Sequence, residues 1–284
     1  MKYYLLANPK SGDSTFMDKV SALEFNGAEK EIVNVLEISD YTELIGKLES
    51  GDKIVICGGD GSLNQFVNRT QGIEIKNEIL MYSAGTGNDF LFDIGADTIK
   101  DGPIPIGKYL VSLPSVEVNG KKYKFINGVG YGIDGYCCEE GDRQKAAGVK
   151  KISYSSIAIK GILGKFSSRN AKVTVDGKEY LFKKVWLAPT MNGRAYGGGM
   201  LVAPEQDRLN PEHTISVVIF KSRSRLNTLM IFPSFFKGTH VKKKKNIAIL
   251  TGKRIEVEFD KPTPLQIDGE VISGVTSYTA VSAE

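Results

Sequence analysis

A glycine-rich turn directly follows a short apolar run in the first third of the chain. The run is Lys53–Cys57, and the turn reads Gly-Gly-Asp-Gly-Ser-Leu-Asn over residues 58–64. An uninterrupted apolar run of this length is typical of a parallel strand that is buried on both faces. Glycines allow positive φ and let a phosphate approach backbone N–H groups. The pattern therefore predicts a strand, a phosphate-binding turn and a helix whose positive end points at the phosphate.

The first third of the chain alternates strand and helix patterns. Strands are predicted at 3–7, 32–36, 54–57 and 78–82, and helices at 16–25, 41–48 and 63–69. Ser39 or Asp40 is the expected cap of the second helix. Such alternation is typical of a doubly wound, mostly parallel sheet, which binds ligands at the carboxyl ends of its strands. Asn8, Gly58 and Gly85 each follow a predicted strand, so we expect them to share one rim.

The pattern changes near 103–114, where short β-prone segments begin. Asn119-Gly120 and Asp176-Gly177 each separate two such segments, which indicates hairpins. One helix is expected around 143–166. The sequence thus predicts an α/β nucleotide-binding domain over 1–113 and a mostly antiparallel β-sandwich substrate domain over 114–284. A return of the chain to the first domain after about residue 275 is left open.

Composition narrows the class of protein. The net charge of +4 over 284 residues is mild, so no nucleic-acid partner is expected, while phosphate substrates and an anionic membrane surface remain compatible. The cysteines Cys57, Cys137 and Cys138 lack metal-binding spacing, which indicates a reducing compartment. No signal peptide is recognised and no apolar run reaches the roughly 18 residues of a membrane span. The expected location is the cytoplasm, with the inner membrane face as an alternative.

Further motifs accompany the glycine-rich turn in a fixed order. They are Asn8-Pro9-Lys10-Ser11-Gly12, Gly85-Thr86-Gly87-Asn88-Asp89, Gly197-Gly198-Gly199-Met200 with Ala203-Pro204, and Gln266-Ile267-Asp268-Gly269-Glu270. In order and spacing the set resembles the diacylglycerol kinase catalytic-domain family, which includes bacterial lipid kinases, sphingosine kinases and ceramide kinases. The resemblance runs from Asn8 to Glu270 and implies the fold that this family shares with NAD kinases.

The resemblance implies an ATP- and Mg²⁺-dependent lipid kinase and assigns roles to individual residues. Glu270 matches the general base that takes the proton from the acceptor hydroxyl, and Asp60 is the second catalytic residue. Asp60 and Asp89 are the implied metal ligands. The implied nucleotide-binding residues are Asn8, Pro9, Lys10, Ser11, Gly12, Gly58, Gly59, Asp60, Gly61, Ser62, Leu63, Asn64, Gly85, Thr86, Asn88 and Asp89. The active site is expected in the cleft between the domains.

The chain departs from the family pattern in one segment. Relatives carry an Asp-Gly pair shortly after the Ala-Pro of the glycine-rich motif, where it contributes to a structural magnesium site. That pair is absent from residues 203–215, which puts the second metal site in doubt, with Asp207 or Glu212 as weak substitutes. Two alternative functions therefore stay open: a kinase of a soluble hydroxyl substrate, and a nucleotide- or lipid-binding regulator without turnover.

Two further patterns have competing interpretations. Gly128-x-Gly130-x-Gly132 resembles a dinucleotide fingerprint, but no helix is predicted in the right frame, so a Rossmann cofactor is not expected. Lys242–Lys245 follow an apolar, aromatic segment at 226–236. Such a run is either a solvated charged surface or a contact with an anionic membrane. The expected partners are thus a lipid substrate and a peripheral membrane contact through residues 226–245, with a homodimer left open.

Overall fold

The computed structural model describes residues 1–12, 14–83, 88–149 and 152–283. The chain forms two compact units, of which the first ends at Val111 and the second begins at Ser112. This division lies close to the boundary expected near residue 113. No helix within the described ranges is long and apolar enough to cross a bilayer.

The first unit contains a mostly parallel sheet with the strand order β2-β1-β3-β4-β5. Strands β1 to β4 run parallel, and β5 is antiparallel to β4. The strands are β1 Lys2–Ala7, β2 Glu29–Asn34, β3 Lys53–Cys57, β4 Glu78–Tyr82 and β5 Ile104–Pro105. The helices are α1 Phe16–Ser21, α2 Tyr41–Gly46, α3 Asp60–Arg69, α4 Asp89–Ile94 and α5 Thr98–Asp101, followed by a 3₁₀ turn at Gly107–Tyr109.

The local sequence explains how this unit forms. Residues Ile54 to Cys57 of β3 are all buried, as the continuous apolar run predicts for a central parallel strand. Leu5 and Val55 pack with Phe16 of α1 in one hydrophobic cluster. Of the two predicted caps for α2, Asp40 is the one that acts, since its side chain accepts the Thr42 N–H at 2.7 Å. The predicted doubly wound sheet is confirmed.

The second unit is built on antiparallel strands. Its strands are β6 Ser115–Val118, β7 Lys121–Lys124, β8 Gly128–Tyr131, β9 Arg169–Val175, β10 Lys178–Leu187, β11 Thr190–Met191, β12 Ala195–Tyr196, β13 Met200–Leu201, β14 Ile215–Lys221, β15 Ile247–Gly252, β16 Arg254–Ile267 and β17 Glu270–Val281. Its helices are α6 Ile133–Ala146, α7 Tyr154–Lys160 and α8 Arg225–Ile231, with a π-helical turn at Gly161–Lys165 and 3₁₀ turns at Phe232–Phe235 and Thr239–Lys242.

The main sheet of this unit closes on itself. Its strand order is β7-β6-β17-β16-β8-β11-β14-β10-β9, β15 pairs with β14, and β9 also pairs with β16. The long strand β16 makes this possible, because its first part pairs with β9 and its last part with β8. One apolar core, which includes Val129, Val217 and Val257, belongs to this sheet. A second core contains side chains of the three helices, and the predicted antiparallel β domain is confirmed.

Two expectations from the sequence differ from the observed structure of this unit. The helix expected around residues 143–166 is two helices, and the first begins at Ile133, directly after β8. The start of α6 was not predicted from the sequence, because Gly132 and Gly135 lower the helix propensity of this segment. The tail after about residue 275 does not return to the first unit. It forms the end of β17, where Thr279 to Val281 pair with β6 and also with β16.

Gly135 is needed for the packing of α6 on β16. A Cβ atom at this position would lie 2.0 Å from the carbonyl oxygen of Pro264, which is a backbone atom that side-chain rotation cannot move away. Gly135→Ala should therefore lower the free energy of unfolding of the second unit by at least about 1–3 kcal/mol, the usual cost of overpacking. Gly164→Ala is the matched control, since its Cβ meets no atom within 4 Å. Urea denaturation of both variants checks this, and equal midpoints would contradict it.

Candidate active site

Gly58 makes the tight turn between β3 and α3. Its φ of +154° and its surroundings exclude a side chain, since a Cβ atom there would lie 2.2 Å from Ser62 Oγ. The Gly58 N–H donates to the carbonyl of Tyr82, the last residue of β4, at 2.9 Å. Gly59 is the N-cap residue, so α3 begins immediately at Asp60. The first N–H groups of this helix, which have no partners within it, therefore lie beside the ends of β3 and β4.

Gly61 lies in the first turn of α3 and is exposed. A Cβ atom there would meet no atom of the described residues within 4 Å, so their packing does not require glycine. Glycine inside a helix costs about 1 kcal/mol relative to alanine. A phosphate lying against the helix N-terminus would account for this residue, because glycine permits the closest approach to the backbone. Leu63 and Asn64 are buried, so any nucleotide contact from Leu63 is through its backbone.

The carboxylate of Asp60 joins two of the sequence motifs. Its Oδ2 accepts the Asp89 N–H at 2.8 Å, and its Oδ1 accepts the Phe90 N–H at 3.1 Å. Both N–H groups belong to the first turn of α4, so Asp60 stabilises the start of that helix. The structure thus brings together the two predicted metal ligands. The sequence had indicated a metal role for Asp60 but not this structural one.

These carboxylates suit a magnesium ion that arrives with a nucleotide. In proteins Mg²⁺ is commonly held by one or two carboxylates together with substrate phosphates. A carboxylate has about four acceptor positions, so the hydrogen bonds from Asp89 and Phe90 do not by themselves prevent Asp60 from binding a metal. Among the described residues, no group of three or more His, Cys, Asp or Glu side chains is arranged to hold a metal alone. The donor set therefore fits a shared metal–phosphate site.

Asn8 organises the turn that follows β1. Its side chain accepts the Lys10 N–H at 2.9 Å, and its carbonyl accepts the Ser11 N–H at 2.9 Å. Pro9, Lys10 and Gly12 are exposed. Asn8 and Ser62 line the same small pocket, so the ends of β1 and β3 share a rim as expected. Two predicted nucleotide-binding residues, Gly85 and Thr86, lie outside the described residues, whereas Asn88 precedes α4.

In the second unit, a two-residue turn presents Glu270. Asp268 and Gly269, with φ of +47° and +100°, connect β16 to β17, and Glu270 pairs with Ile267. The Asp268 carboxylate accepts N–H groups of Ile126, Asn127 and Gly128 at 2.5, 2.8 and 3.0 Å. Glu270 itself is exposed. Asp268-Gly269 is therefore both a hairpin turn and the support of the predicted base.

Two side chains that the sequence analysis had not selected bind residues 126–127, the segment that Asp268 also contacts. Asn192 Nδ2 donates to the carbonyl of Ile126 at 2.9 Å. Arg208 donates to the same carbonyl at 3.3 Å and to Asn127 Oδ1 at 3.1 Å. Arg208 lies in the segment that lacks the family Asp-Gly pair. Its neighbour Asp207 is exposed, and the Asp207 side chain accepts the Leu209 N–H at 2.9 Å.

Asp134 is a buried carboxyl group near the same turn. The Tyr196 hydroxyl donates to its Oδ2 at 2.8 Å, whereas its Oδ1 has no hydrogen-bond partner. Burial raises the pKa of Asp134 to about 6, because the charged form loses hydration. Tyr196 directly precedes Gly197, so this bond connects the start of α6 to the glycine-rich motif. The sequence analysis had not selected Asp134.

The Gly128-x-Gly130-x-Gly132 pattern is a packing feature of this region. The helix α6 follows it directly, and the sequence analysis had not predicted a helix start there. The space beside the glycines is filled by protein, however. A Cβ atom on Gly130 would lie 1.8 Å from Asp134 Oδ2, and one on Gly132 would lie 2.5 Å from the Trp186 carbonyl oxygen. A dinucleotide therefore has no room to approach these glycines.

Comparison with protein families finds a match for each of the two units. Residues 2–106 match the diacylglycerol kinase catalytic domain, and residues 127–282 match the YegS C-terminal NAD kinase beta sandwich-like domain. The chain belongs to the diacylglycerol kinase family. The resemblance seen in the ordered sequence motifs is thereby confirmed, and membership of a lipid kinase family follows.

Individual relatives of this family are distant in sequence. A diacylglycerol kinase of Mycobacterium tuberculosis is 25% identical over 277 residues, covering 90% of this chain and 85% of that protein. A probable lipid kinase, YegS-like, of Shewanella frigidimarina is 24% identical over 271 residues, covering 94% and 86%. A solved diacylglycerol kinase structure from Bacillus anthracis aligns with a TM-score of 0.65 at 19% identity, covering 100% of this chain and 94% of that one. The structural likeness supports the fold.

The buried Asp134 should make stability depend on pH. Because its pKa is raised above 3.8 to about 6, the stabilising proton is fully bound below pH 3.8 and is lost as the pH rises through 6. The difference in unfolding free energy between wild type and Asp134→Asn should therefore fall by about 2 kcal/mol from about pH 4.5 to about pH 7.5. Urea denaturation at several pH values measures this difference. Tyr196→Phe should move the fall in stability to higher pH, because loss of the hydroxyl donor raises the pKa of Asp134 further. A difference that is constant with pH would contradict the assignment.

Proposed function

We propose that this protein is an ATP-dependent lipid kinase, which transfers the γ-phosphate of ATP to the hydroxyl of a diacylglycerol-like or sphingoid-like lipid. The observation that carries the proposal is the start of α3, where Gly58 makes a turn that excludes side chains and Gly61 leaves the helix N-terminus open. Family membership supports phosphoryl transfer to a lipid.

The residues of this chain divide the chemistry between them. The N–H groups at the start of α3 bind phosphate oxygens, and Asp60, with Asp89 beside it, would hold a magnesium ion that arrives with the nucleotide. Mg²⁺, when bound, neutralises charge on the phosphates. Glu270, exposed at the end of its turn, takes the proton from the acceptor hydroxyl. The hydroxyl oxygen then forms a bond to the γ-phosphorus, and the bond to ADP breaks. Positioning and charge neutralisation supply most of the acceleration in such transfers.

Transfer of label tests the proposal directly. The pure protein is incubated with γ-labelled ATP, Mg²⁺ and mixed micelles that contain a panel of hydroxyl lipids, and label is counted in the organic phase. We expect label in one lipid class. Absence of label from every lipid, with nucleotide binding intact, would overturn the lipid kinase and favour a soluble acceptor or a regulator without turnover.

The same measurement tests the role of Glu270. Glu270→Ala should lower the transfer rate by about 10²–10⁴-fold, the usual contribution of a general base, with little change in nucleotide affinity. Glu179→Ala is the matched control, because Glu179 is an exposed carboxylate of the same unit on β10. Wild-type turnover in Glu270→Ala would exclude it as the base.

The variant Gly61→Ala distinguishes an effect on ligand binding from an effect on folding. Since its Cβ would meet no atom within 4 Å in the part of the chain that the structure describes, the variant should fold and gain up to about 1 kcal/mol of helix stability. A methyl group on the helix N-terminus should nevertheless weaken ATP binding at least tenfold, because it holds the phosphates away from the backbone. Gly46→Ala in α2, which also has open space, is the control. Calorimetric titration with Mg-ATP measures both, and equal affinities would contradict phosphate contact at Gly61.

A further inference from the structure

Two segments of the second unit are apolar on two sides: α7 with the π-helical turn that follows it, and α8. Their inner sides belong to one core, to which Ile157, Ile162 and Ile231 contribute. Their outer sides expose Ile159 and Leu163 on one segment, and Leu226 and Met230 on the other, each pair spaced by four residues. Leu163, Leu226 and Met230 are 60%, 68% and 65% exposed. A surface helix normally carries polar residues on its outer side, so these pairs are unusual.

Arg225 joins the two segments. Its guanidinium donates to the carbonyl of Phe166 at 2.9 Å and also to the carbonyl of Ile162. These carbonyls lie at the end of the π-helical turn, where backbone acceptors lack partners within the helix. The bonds fix the start of α8 against the end of that turn. The exposed pairs therefore belong to one surface, which we call the α7–α8 face and define as residues 152–166 and 222–246.

Within the two segments of the α7–α8 face, every charged side chain is basic. The two segments contain no aspartate or glutamate, although the whole chain has 33 acidic residues. Apart from the half-buried Arg225, their basic side chains are exposed. The basic residues are Lys160, Lys165, Arg223, Arg225, Lys237, Lys242, Lys243, Lys244 and Lys245. Glu140 of the neighbouring α6 lies close enough to Lys165 to interact with its charge, but Lys242–Lys245 add four exposed positive charges in succession. A surface that combines exposed aliphatic side chains with such a run of lysines complements an anionic bilayer.

Other occupants fit this face less well. Protein–protein interfaces are depleted in lysine, whereas four lysines in succession lie here. A second copy of the chain in a twofold dimer would place the same basic face against itself, and like charges would repel. Lipid headgroups bind the lysines instead, while the aliphatic side chains enter the acyl boundary.

We propose that the α7–α8 face docks the protein on anionic membranes. This inference deepens the proposed lipid kinase, since such an enzyme meets its acceptor at a bilayer, but binding is measured without turnover. It extends the contact expected at residues 226–245 to α7 and its π-helical turn.

Vesicle sedimentation tests the docking. The protein should bind phosphatidylcholine vesicles that contain about 30% phosphatidylglycerol much more tightly than pure phosphatidylcholine vesicles, and salt should weaken the binding. Leu226→Gln/Met230→Gln should reduce affinity about tenfold or more, because both side chains lose their insertion. Leu181→Gln is the matched control, since Leu181 is 79% exposed on β10, outside the face.

The charged part is tested separately. Lys244→Gln/Lys245→Gln should reduce affinity about 25-fold at low salt, or about fivefold for each lysine. Lys121→Gln/Lys122→Gln removes the same charge from the exposed surface of β7 and is the control. Equal losses in both double variants would show general electrostatic attraction and overturn the assigned face. Loss of a wild-type dimer in Leu226→Gln/Met230→Gln, without vesicle binding, would assign the face to self-association and overturn the proposal.

A water-soluble, short-chain diacylglycerol distinguishes this inference from the proposed function. The α7–α8 variants should retain label transfer to this monomeric acceptor while losing transfer to vesicle lipid. If the wild type binds vesicles through this face but labels no lipid, docking stands and the kinase proposal fails. If the wild type labels the soluble acceptor but does not bind anionic vesicles, the kinase stands and the docking inference fails.

Discussion

Buried backbone N–H groups need hydrogen-bond partners, and in both units an aspartate in a predicted site motif provides them. Asp60 accepts the N–H groups of Asp89 and Phe90 at the start of α4, and Asp268 accepts those of residues 126–128, where the chain enters β8. Each aspartate therefore ties a loop in its own motif to a segment distant in sequence. Geometry and chemistry depend on the same carboxylates, so replacing Asp60 alters the architecture of its site as well as its charge.

The glycines of this chain have two physical functions that sequence alone does not separate. Gly130, Gly132 and Gly135 make room for neighbouring protein atoms, and a Cβ on any of them would overlap those atoms. A Cβ on Gly61 would meet no described atom within 4 Å, which leaves room for a ligand at the start of α3. In sequence, Gly128-x-Gly130-x-Gly132 resembles a dinucleotide fingerprint, yet these glycines are packed against protein atoms. Only the three-dimensional surroundings distinguish packing from binding.

Sequence patterns predicted the larger features well. The buried run of β3, the alternation of strands and helices and the Asn-Gly and Asp-Gly turns are local signals, and each leads to the observed element. The start of α6 was missed because glycines obscure its helical pattern, although tertiary packing against β16 requires Gly135. Asn192, Arg208 and Tyr196 were missed because their partners lie more than 60 residues away. Such contacts leave no periodic signal in the chain.

The sequence by itself determined the family, the two-part fold and the order of the motifs, because these depend on local backbone preferences and on residue types at fixed spacing. Tertiary structure decided which residues meet. It placed Asp60 against α4, left the carboxyl group of Asp134 buried with one unpaired oxygen, and joined α7 to α8 through Arg225. The physical reason is that burial and long-range hydrogen bonds depend on how the folded chain brings distant segments together, and residue order alone does not specify those distances.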